Sequence, residues 1–139
     1  MHGKGLDWHK QGSASEDPLV VTQFGDLWVD LQGSIALADR AATKVAGLLD
    51  CFLDFDEALR GKATVDVAAA KIHASRTALS VTAKIFEPLG SRAAHNSNGF
   101  DRFWRDAWTH TLHDPLAYKV LEAGDFALND RYTEVGSFS

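Results

Sequence analysis

The chain contains little cysteine and little proline, and it has no excess of positive charge. Its 139 residues include one cysteine, Cys51, and three prolines, with 14 Lys and Arg against 19 Asp and Glu for a net charge of −5. A single cysteine excludes an internal disulfide, so we expect a reducing, cytosolic compartment. The negative charge argues against a nucleic-acid binder that works by bulk electrostatic attraction, because such a protein needs cations in excess to neutralise phosphates.

Long apolar runs are missing as well. No stretch of 18 apolar residues occurs, so no segment is predicted to cross a membrane. Residues 1–17 lack the apolar centre of a secretory signal. With 45% hydrophobic and 24% charged residues, the chain has the length and composition of one globular domain.

What the sequence does contain is apolar residues at helical spacing. They follow Asp17-Pro18, where an aspartate N-cap precedes a proline at the first helical position, and they continue to about Leu53. The recurring positions are Val20, Phe24, Leu27, Leu31, Ile35, Ala38, Ala42, Val45 and Leu49. One helix over this stretch would be about 50 Å long. A helix of that length needs partner helices along it.

The rest of the chain predicts three shorter helices. Residues 54–62 are charged and contain a glycine, which indicates a turn. The helices are predicted from a cap at Thr64 to about Phe86, from Asn98 or Asp101 to the Asp114-Pro115 pair, and from Pro115 to about Leu128. No segment alternates with period two for long enough to predict a strand. We therefore predict an all-α antiparallel up-down four-helix bundle over residues 17–130, with a linker or disordered start at 1–16 and an irregular tail at 131–139.

The densest group of reactive side chains is at the end of the third helix. His110 and His113 are three residues apart and so lie on one helical face, with Asp114 next to them. Such a face could hold a metal ion or place an imidazole beside a ligand for proton transfer. The alternative is structural: the two histidines form hydrogen bonds at the helix end, and the aspartate is a simple N-cap. A metal site is the weakest interpretation because His2, His9, His73 and His95 supply no third ligand at a fitting spacing.

A second candidate is the loop around Gly90. Ser91 and Arg92 follow this glycine between two helices. Backbone N–H groups and a guanidinium can together bind a phosphate. The alternative is a loop that only terminates a helix.

Two runs in the C-terminal half carry a family resemblance. The sequences GFDRFWRD at 99–106 and THTLHDP at 109–115 resemble the C-terminal helical domain of the acyl-CoA dehydrogenase superfamily. Within it they look most like the reduced-flavin-dependent monooxygenases typified by dibenzothiophene monooxygenase. The resemblance extends from about Leu6 to the last residue and implies the same four-helix fold.

The resemblance also implies site residues and partners. Ser91 and Arg92 match positions that contact flavin mononucleotide (FMN), with flavin adenine dinucleotide (FAD) as the alternative cofactor. His113 matches an imidazole over the reactive edge of the flavin, and His110 would support it. The implied partners are other copies of the chain in a dimer or tetramer, a flavin reductase and a small sulfur- or nitrogen-containing or aromatic substrate.

Three features depart from the family pattern. Many dehydrogenases have their glutamate base where Asp114 stands, and an arginine expected near Val21-Thr22 is replaced. The family's N-terminal helical domain and central β-domain have no counterpart here, so we expect a fragment or stand-alone domain that is inactive by itself. An acyl-CoA dehydrogenase domain and a non-catalytic oligomerisation module are the alternatives to the monooxygenase domain.

Overall fold

The computed structural model describes residues 13–50 and 56–132, in which every regular element is helical. Four helices are long: α1 (Pro18–Asp50), α2 (Glu57–Lys84), α4 (Asp101–His113) and α5 (Leu116–Asn129). A short helix, α3 (Phe86–Leu89), follows α2, and 3-10 turns lie at Ala14–Glu16, Ser91–Ala94 and Asn96–Asn98. The predicted all-α fold with four helices is confirmed. None of these helices is both long and apolar enough to cross a membrane.

The first helix begins where the cap signal predicts. The N–H of Leu19 donates to Asp17 Oδ1 at 2.9 Å, and Pro18 is the first helical residue. The helix continues unbroken through Asp50. Its predicted last turn, with Cys51, lies outside the described residues, as do 1–12 and 133–139.

The second helix begins earlier than predicted. Asp56 is its N-cap, with a side chain that accepts from the N–H of Ala58 at 3.0 Å. The predicted turn up to residue 62 and the cap at Thr64 are wrong, because Thr64 lies inside α2. Gly61 suggested a turn, but it is a buried helical residue under the ring of Tyr132. A Cβ at Gly61 would overlap that ring, with Tyr132 Cδ1 at 2.7 Å, so glycine is there to allow a close approach.

Helices α1 and α2 pack antiparallel. Ser34 pairs with His73 at 2.9 Å, and Arg40 pairs with Asp66 at 2.7 Å. The register therefore pairs residues further along α1 with residues earlier in α2. Ser34 and Leu27 face inward and are buried, while most of the apolar positions that the spacing assigns to the inner stripe are exposed.

Helices α4 and α5 follow one another along α2. Phe100, just before α4, lines a cavity with Phe86, beyond the end of α2. Asp114, between α4 and α5, reaches Lys71 near the middle of α2, and Tyr132 lies on Gly61 near its start. Both helices thus run antiparallel to α2, and the break between them is at Asp114-Pro115.

The buried core is small. Six apolar residues are buried among those described, and four of the six are alanines: Leu27, Ala41, Ala63, Ala68, Ile72 and Ala93. Many large apolar side chains stay exposed, from Leu19 on α1 to Leu128 on α5, which is 86% exposed. Apolar exposure on this scale is typical of surfaces that bind a partner or a ligand.

Candidate functional site

His110 and His113 occupy the last turn of α4, as predicted. Both are exposed, and neither has a hydrogen bond or an ion pair with any other described residue. Their spacing of three places them about 60° apart around the helix, on one side. Two free imidazoles therefore face outward, away from the rest of the chain that the structure describes.

Asp114 has a different role from the predicted cap. Helix α5 begins without a side-chain cap, and the Asp114 carboxylate instead accepts from Lys71 Nζ on α2. The N-cap interpretation of Asp114 is therefore wrong. A cationic donor makes a stronger hydrogen bond to a carboxylate than a backbone N–H does, which explains the preference.

The lysine belongs to a cluster of four charges between α2 and the α4–α5 break. Lys119 Nζ lies 3.1 Å from Glu122 Oε1, and these two side chains are 19% and 10% exposed. Burial lowers the pKa of Lys71 below its usual 10.5; the positive charge of Lys119 lowers it further, and Glu122 opposes the shift. The sequence does not predict the role of Lys71, because no local pattern links it to Asp114, which lies 43 positions later.

Ser91 and Arg92 begin the 3-10 turn after Gly90, and both are exposed. Gly90 has a φ of 72°, a conformation that favours glycine. The Arg92 carbonyl accepts from Asn98 Nδ2 at 2.7 Å, which ties the loop together. Within the described ranges the Arg92 guanidinium has no carboxylate partner, so it is available to an external anion.

The two pairs of predicted site residues are not in one pocket. The Ser91–Arg92 turn lies toward the N-terminal end of α4, where Asp101 shares a cavity with Ala93. His113 ends the same helix twelve residues later, about 18 Å along the axis. The two ends of this helix thus carry a guanidinium and two imidazoles, each open to solvent.

Aromatic side chains line α4 between the two ends. Trp104 and Trp108 pack edge to face with ring centroids 6.2 Å apart. They remain 43% and 40% exposed, and Leu112 in the next turn is 66% exposed. Helical spacing places this apolar stripe on the side of α4 away from the two histidines, and it is uncovered in the single chain.

A further polar cluster, which the sequence did not predict, joins α1 to α2. His73 Nδ1 lies 2.9 Å from Ser34 Oγ and 3.3 Å from Thr77 Oγ1, and both hydroxyl residues are buried. The sequence suggests His73 only as a candidate metal ligand, and at a spacing that does not fit. In the part of the chain that the structure describes, no three His, Cys, Asp or Glu side chains are grouped so that they could hold a metal ion.

Comparison with known proteins identifies one family for the chain. Residues 3–117 match the family described as acyl-CoA dehydrogenase, C-terminal domain. A dibenzothiophene monooxygenase of Mycolicibacterium goodii is 44% identical over 123 residues, which are 86% of this chain and 29% of that protein. A probable FMNH2-dependent monooxygenase, SfnC, of Pseudomonas putida is 40% identical over 130 residues, covering 89% of this chain and 32% of that protein.

A solved structure agrees with these sequence matches. The FMN-bound crystal structure of TdsC from Paenibacillus sp. A11-2 superposes with a TM-score of 0.81 at 41% identity, covering 91% of this chain and 32% of that one. The chain thus spans about a third of the length of the relatives it matches.

Proposed function

The chain belongs to the acyl-CoA dehydrogenase C-terminal domain family, and we propose that it is the flavin-completing, oligomerising domain of a flavin-dependent monooxygenase. The observation that carries the proposal is the exposed pair His110 and His113, free of partners among the described residues, in a chain that resembles monooxygenases along most of its length. The substrate class is a small sulfur- or nitrogen-containing or aromatic compound.

The residues present fit FMN as the cofactor. Arg92 is exposed and free of carboxylates among the described residues, and it follows a glycine whose positive φ shapes the turn. A guanidinium that forms two hydrogen bonds suits a terminal phosphate. Ser91 adds a hydroxyl next to it. TdsC was solved with FMN bound, and SfnC is named a probable FMNH2-dependent monooxygenase, so both relatives support FMN over FAD.

His113 is the group that would handle a proton. Bound reduced FMN supplies the electrons that activate dioxygen. The His113 imidazole can hold a proton on one ring nitrogen and give it to a neighbouring oxygen. His110, one turn earlier, can accept a hydrogen bond from substrate or relay a proton to His113.

The state of Asp114 argues against acyl-CoA dehydrogenation. That reaction needs a carboxylate free to remove a proton from the substrate. The Asp114 carboxylate is bound to Lys71, so it is not free for that role. This pairing supports oxygenation over dehydrogenation.

The proposal implies partners outside this chain. Reduced flavin would come from a separate flavin reductase, and the exposed apolar surface would be covered by other copies and by further domains of a longer polypeptide. A cytosolic location follows from the single cysteine and stays a prediction.

The first experiment is FMN binding to this chain, followed by quenching of flavin fluorescence, with the mass in solution measured on the same sample. We expect saturable binding by a dimer or tetramer. Riboflavin, which lacks the phosphate, should bind more weakly, and Arg92→Ala should remove that difference. Arg105→Ala, an exposed arginine on α4 paired with Asp101, is the matched control.

The outcomes separate the alternatives. A well-folded oligomer that binds neither FMN nor FAD would identify the chain as an oligomerisation module that does not bind flavin by itself. Binding in which FMN and riboflavin are equivalent would remove Arg92 from the site.

A further inference from the structure

Asp114 stands one helical turn after His110 and directly follows the last residue of α4. Side chains four residues apart on a helix are neighbours, about 5–6 Å apart at Cβ. A carboxylate at this spacing is within reach of the imidazole as a hydrogen-bond acceptor. In the structure, however, His110 has no hydrogen bond or ion pair with any described residue, and the Asp114 carboxylate accepts from Lys71 Nζ.

The turn of α4 orders these side chains from the inside of the chain to the outside. Thr111 is buried and so marks the inner face of α4. At about 100° per residue, Asp114 lies about 60° from Thr111, His110 about 100° and His113 about 160°, all in the same direction around the axis. Asp114 therefore stands between the inner face, where Lys71 is, and His110. Its carboxylate has one possible donor on each side.

From this arrangement we propose that Lys71 is a positioning residue: it holds the Asp114 carboxylate toward α2 and so keeps it from pairing with His110. Both imidazoles then stay free to contact flavin and substrate. This consequence rests on the proposed function, whereas the position of the carboxylate does not depend on flavin. Lys71 has no hydrogen bond with either imidazole and acts only through Asp114.

Lys71 is the cation suited to this role. The other lysine of the charge cluster, Lys119, is already engaged, because its Nζ lies 3.1 and 3.4 Å from the two carboxylate oxygens of Glu122. Among the described residues, Asp114 is the one ion-pair partner of Lys71. The Lys71 side chain is 23% exposed, so water competes for it less than for a surface lysine. An ammonium also makes a stronger hydrogen bond to a carboxylate than a neutral donor does.

Removal of the Lys71 charge should transfer the carboxylate to His110. In Lys71→Met the Asp114 carboxylate loses its donor on the α2 side, and His110 is then the donor within reach on α4. The new pair would engage one ring nitrogen of His110 and bring a negative charge against the two imidazoles. When Asp114→Asn is added to Lys71→Met, no carboxylate is present, so the imidazoles should be as free as in the wild type.

The test is the nuclear magnetic resonance spectrum of the histidine rings in this chain, prepared with isotope-labelled histidine. His110→Gln and His113→Gln assign the two signals. We expect Lys71→Met to displace the His110 ring signal and to give a nuclear Overhauser contact between that ring and the Asp114 methylene group. Adding Asp114→Asn should return the signal to its wild-type position. Lys84→Met, at an exposed position at the end of α2, is the matched control and should leave the signal in place.

The second readout is oxygenation by a chimera of this chain with the remaining part of the Mycolicibacterium goodii relative. Lys71→Met should lower the rate about tenfold, less than the loss of an acid–base group costs, and adding Asp114→Asn should restore most of it. Lys71→Arg, which keeps the ion pair, should stay close to the wild type. If the ion pair served only the packing of α4 and α5, the double variant would be as slow as Lys71→Met, because both lack the pair.

A His110 signal that Lys71→Met leaves in place, or displaces equally with and without the Asp114 carboxylate, would overturn the inference. Should Lys71→Met fail to fold, Lys71→Gln takes its place in both measurements. A chimera in which His113→Ala slows oxygenation but Lys71→Met does not would overturn this inference and leave the proposed function standing. A chain that binds no flavin would overturn the proposed function, and the histidine spectra would still decide the position of the Asp114 carboxylate.

Discussion

Lys71 Nζ on α2 donates to the carboxylate of Asp114, the residue that follows His113. This contact fixes the break between α4 and α5 to the central helix. It also engages a carboxylate directly beside the imidazole proposed to handle protons. The position of His113 at the end of α4 thus depends on a lysine in a different helix.

The first prediction concerns the pH dependence of stability. Burial lowers the pKa of Lys71 in the folded chain. Between that lowered pKa and 10.5, the unfolded chain binds more protons at this residue than the folded chain, so the free energy of unfolding rises with pH. We expect urea unfolding to show this rise in the wild type and to lose it in Lys71→Met.

Lys84→Met provides the control, since Lys84 is exposed at the end of the same helix. This variant should keep the wild-type increase of the unfolding free energy with pH. A Lys71→Met variant with the same slope as the wild type would contradict the role of burial at Lys71.

The second prediction concerns His113. In a chimera that joins this chain to the remaining part of the Mycolicibacterium goodii relative, His113→Ala should lower the oxygenation rate about 10²-fold or more, the effect of losing an acid–base group. His113→Gln should not rescue the rate, because an amide forms hydrogen bonds but does not titrate. The measurement is product formation with reduced FMN supplied. An unchanged rate would remove His113 from the mechanism.

The third prediction concerns the contact between Gly61 and Tyr132. Gly61→Ala places a Cβ only 2.7 Å from Tyr132 Cδ1 and displaces the ring from its stack on Phe126. Overpacking typically costs about 1–3 kcal/mol, and the better helix propensity of alanine offsets about 1 kcal/mol of it. We therefore expect a net loss of up to roughly 2 kcal/mol in urea unfolding.

Gly47→Ala is the matched control. Gly47 also lies inside a helix, but a Cβ there would meet nothing within 4 Å. It should stabilise the chain by about 0.5–1 kcal/mol. If both substitutions stabilised the chain, Tyr132 would not lie on Gly61 in solution.

The fourth prediction concerns the buried Ser34 and its half-buried partner His73. Ser34→Ala removes the hydroxyl 2.9 Å from His73 Nδ1 and leaves that nitrogen with the longer contact to Thr77. We expect a loss of about 1–2 kcal/mol of unfolding free energy, as for other buried groups that lose a partner. Thr43→Ala, at an exposed position with a hydroxyl bonded only to its own helix, should stay within about 0.5 kcal/mol of the wild type.

Local signals in the sequence predicted the helices best where a cap and a proline coincide. Asp17-Pro18 set the start of α1 because both effects act within one turn. The same reasoning was wrong at Gly61 and Thr64. A glycine in a charged stretch predicts a turn, and only the ring of Tyr132, far along the chain, explains why a glycine lies inside a helix there.

The sequence by itself determined the fold class, the family and the residue types of the candidate site, because these follow from spacing and from motifs within a few residues. Only the tertiary structure decided which partners those residues have. It engaged Asp114 with Lys71, separated Arg92 from His113 by the length of α4, and left most of the large apolar side chains of α1 exposed. Each of these results depends on how α1, α4 and α5 pack on α2, and a contact between residues far apart in sequence leaves no local periodicity to detect.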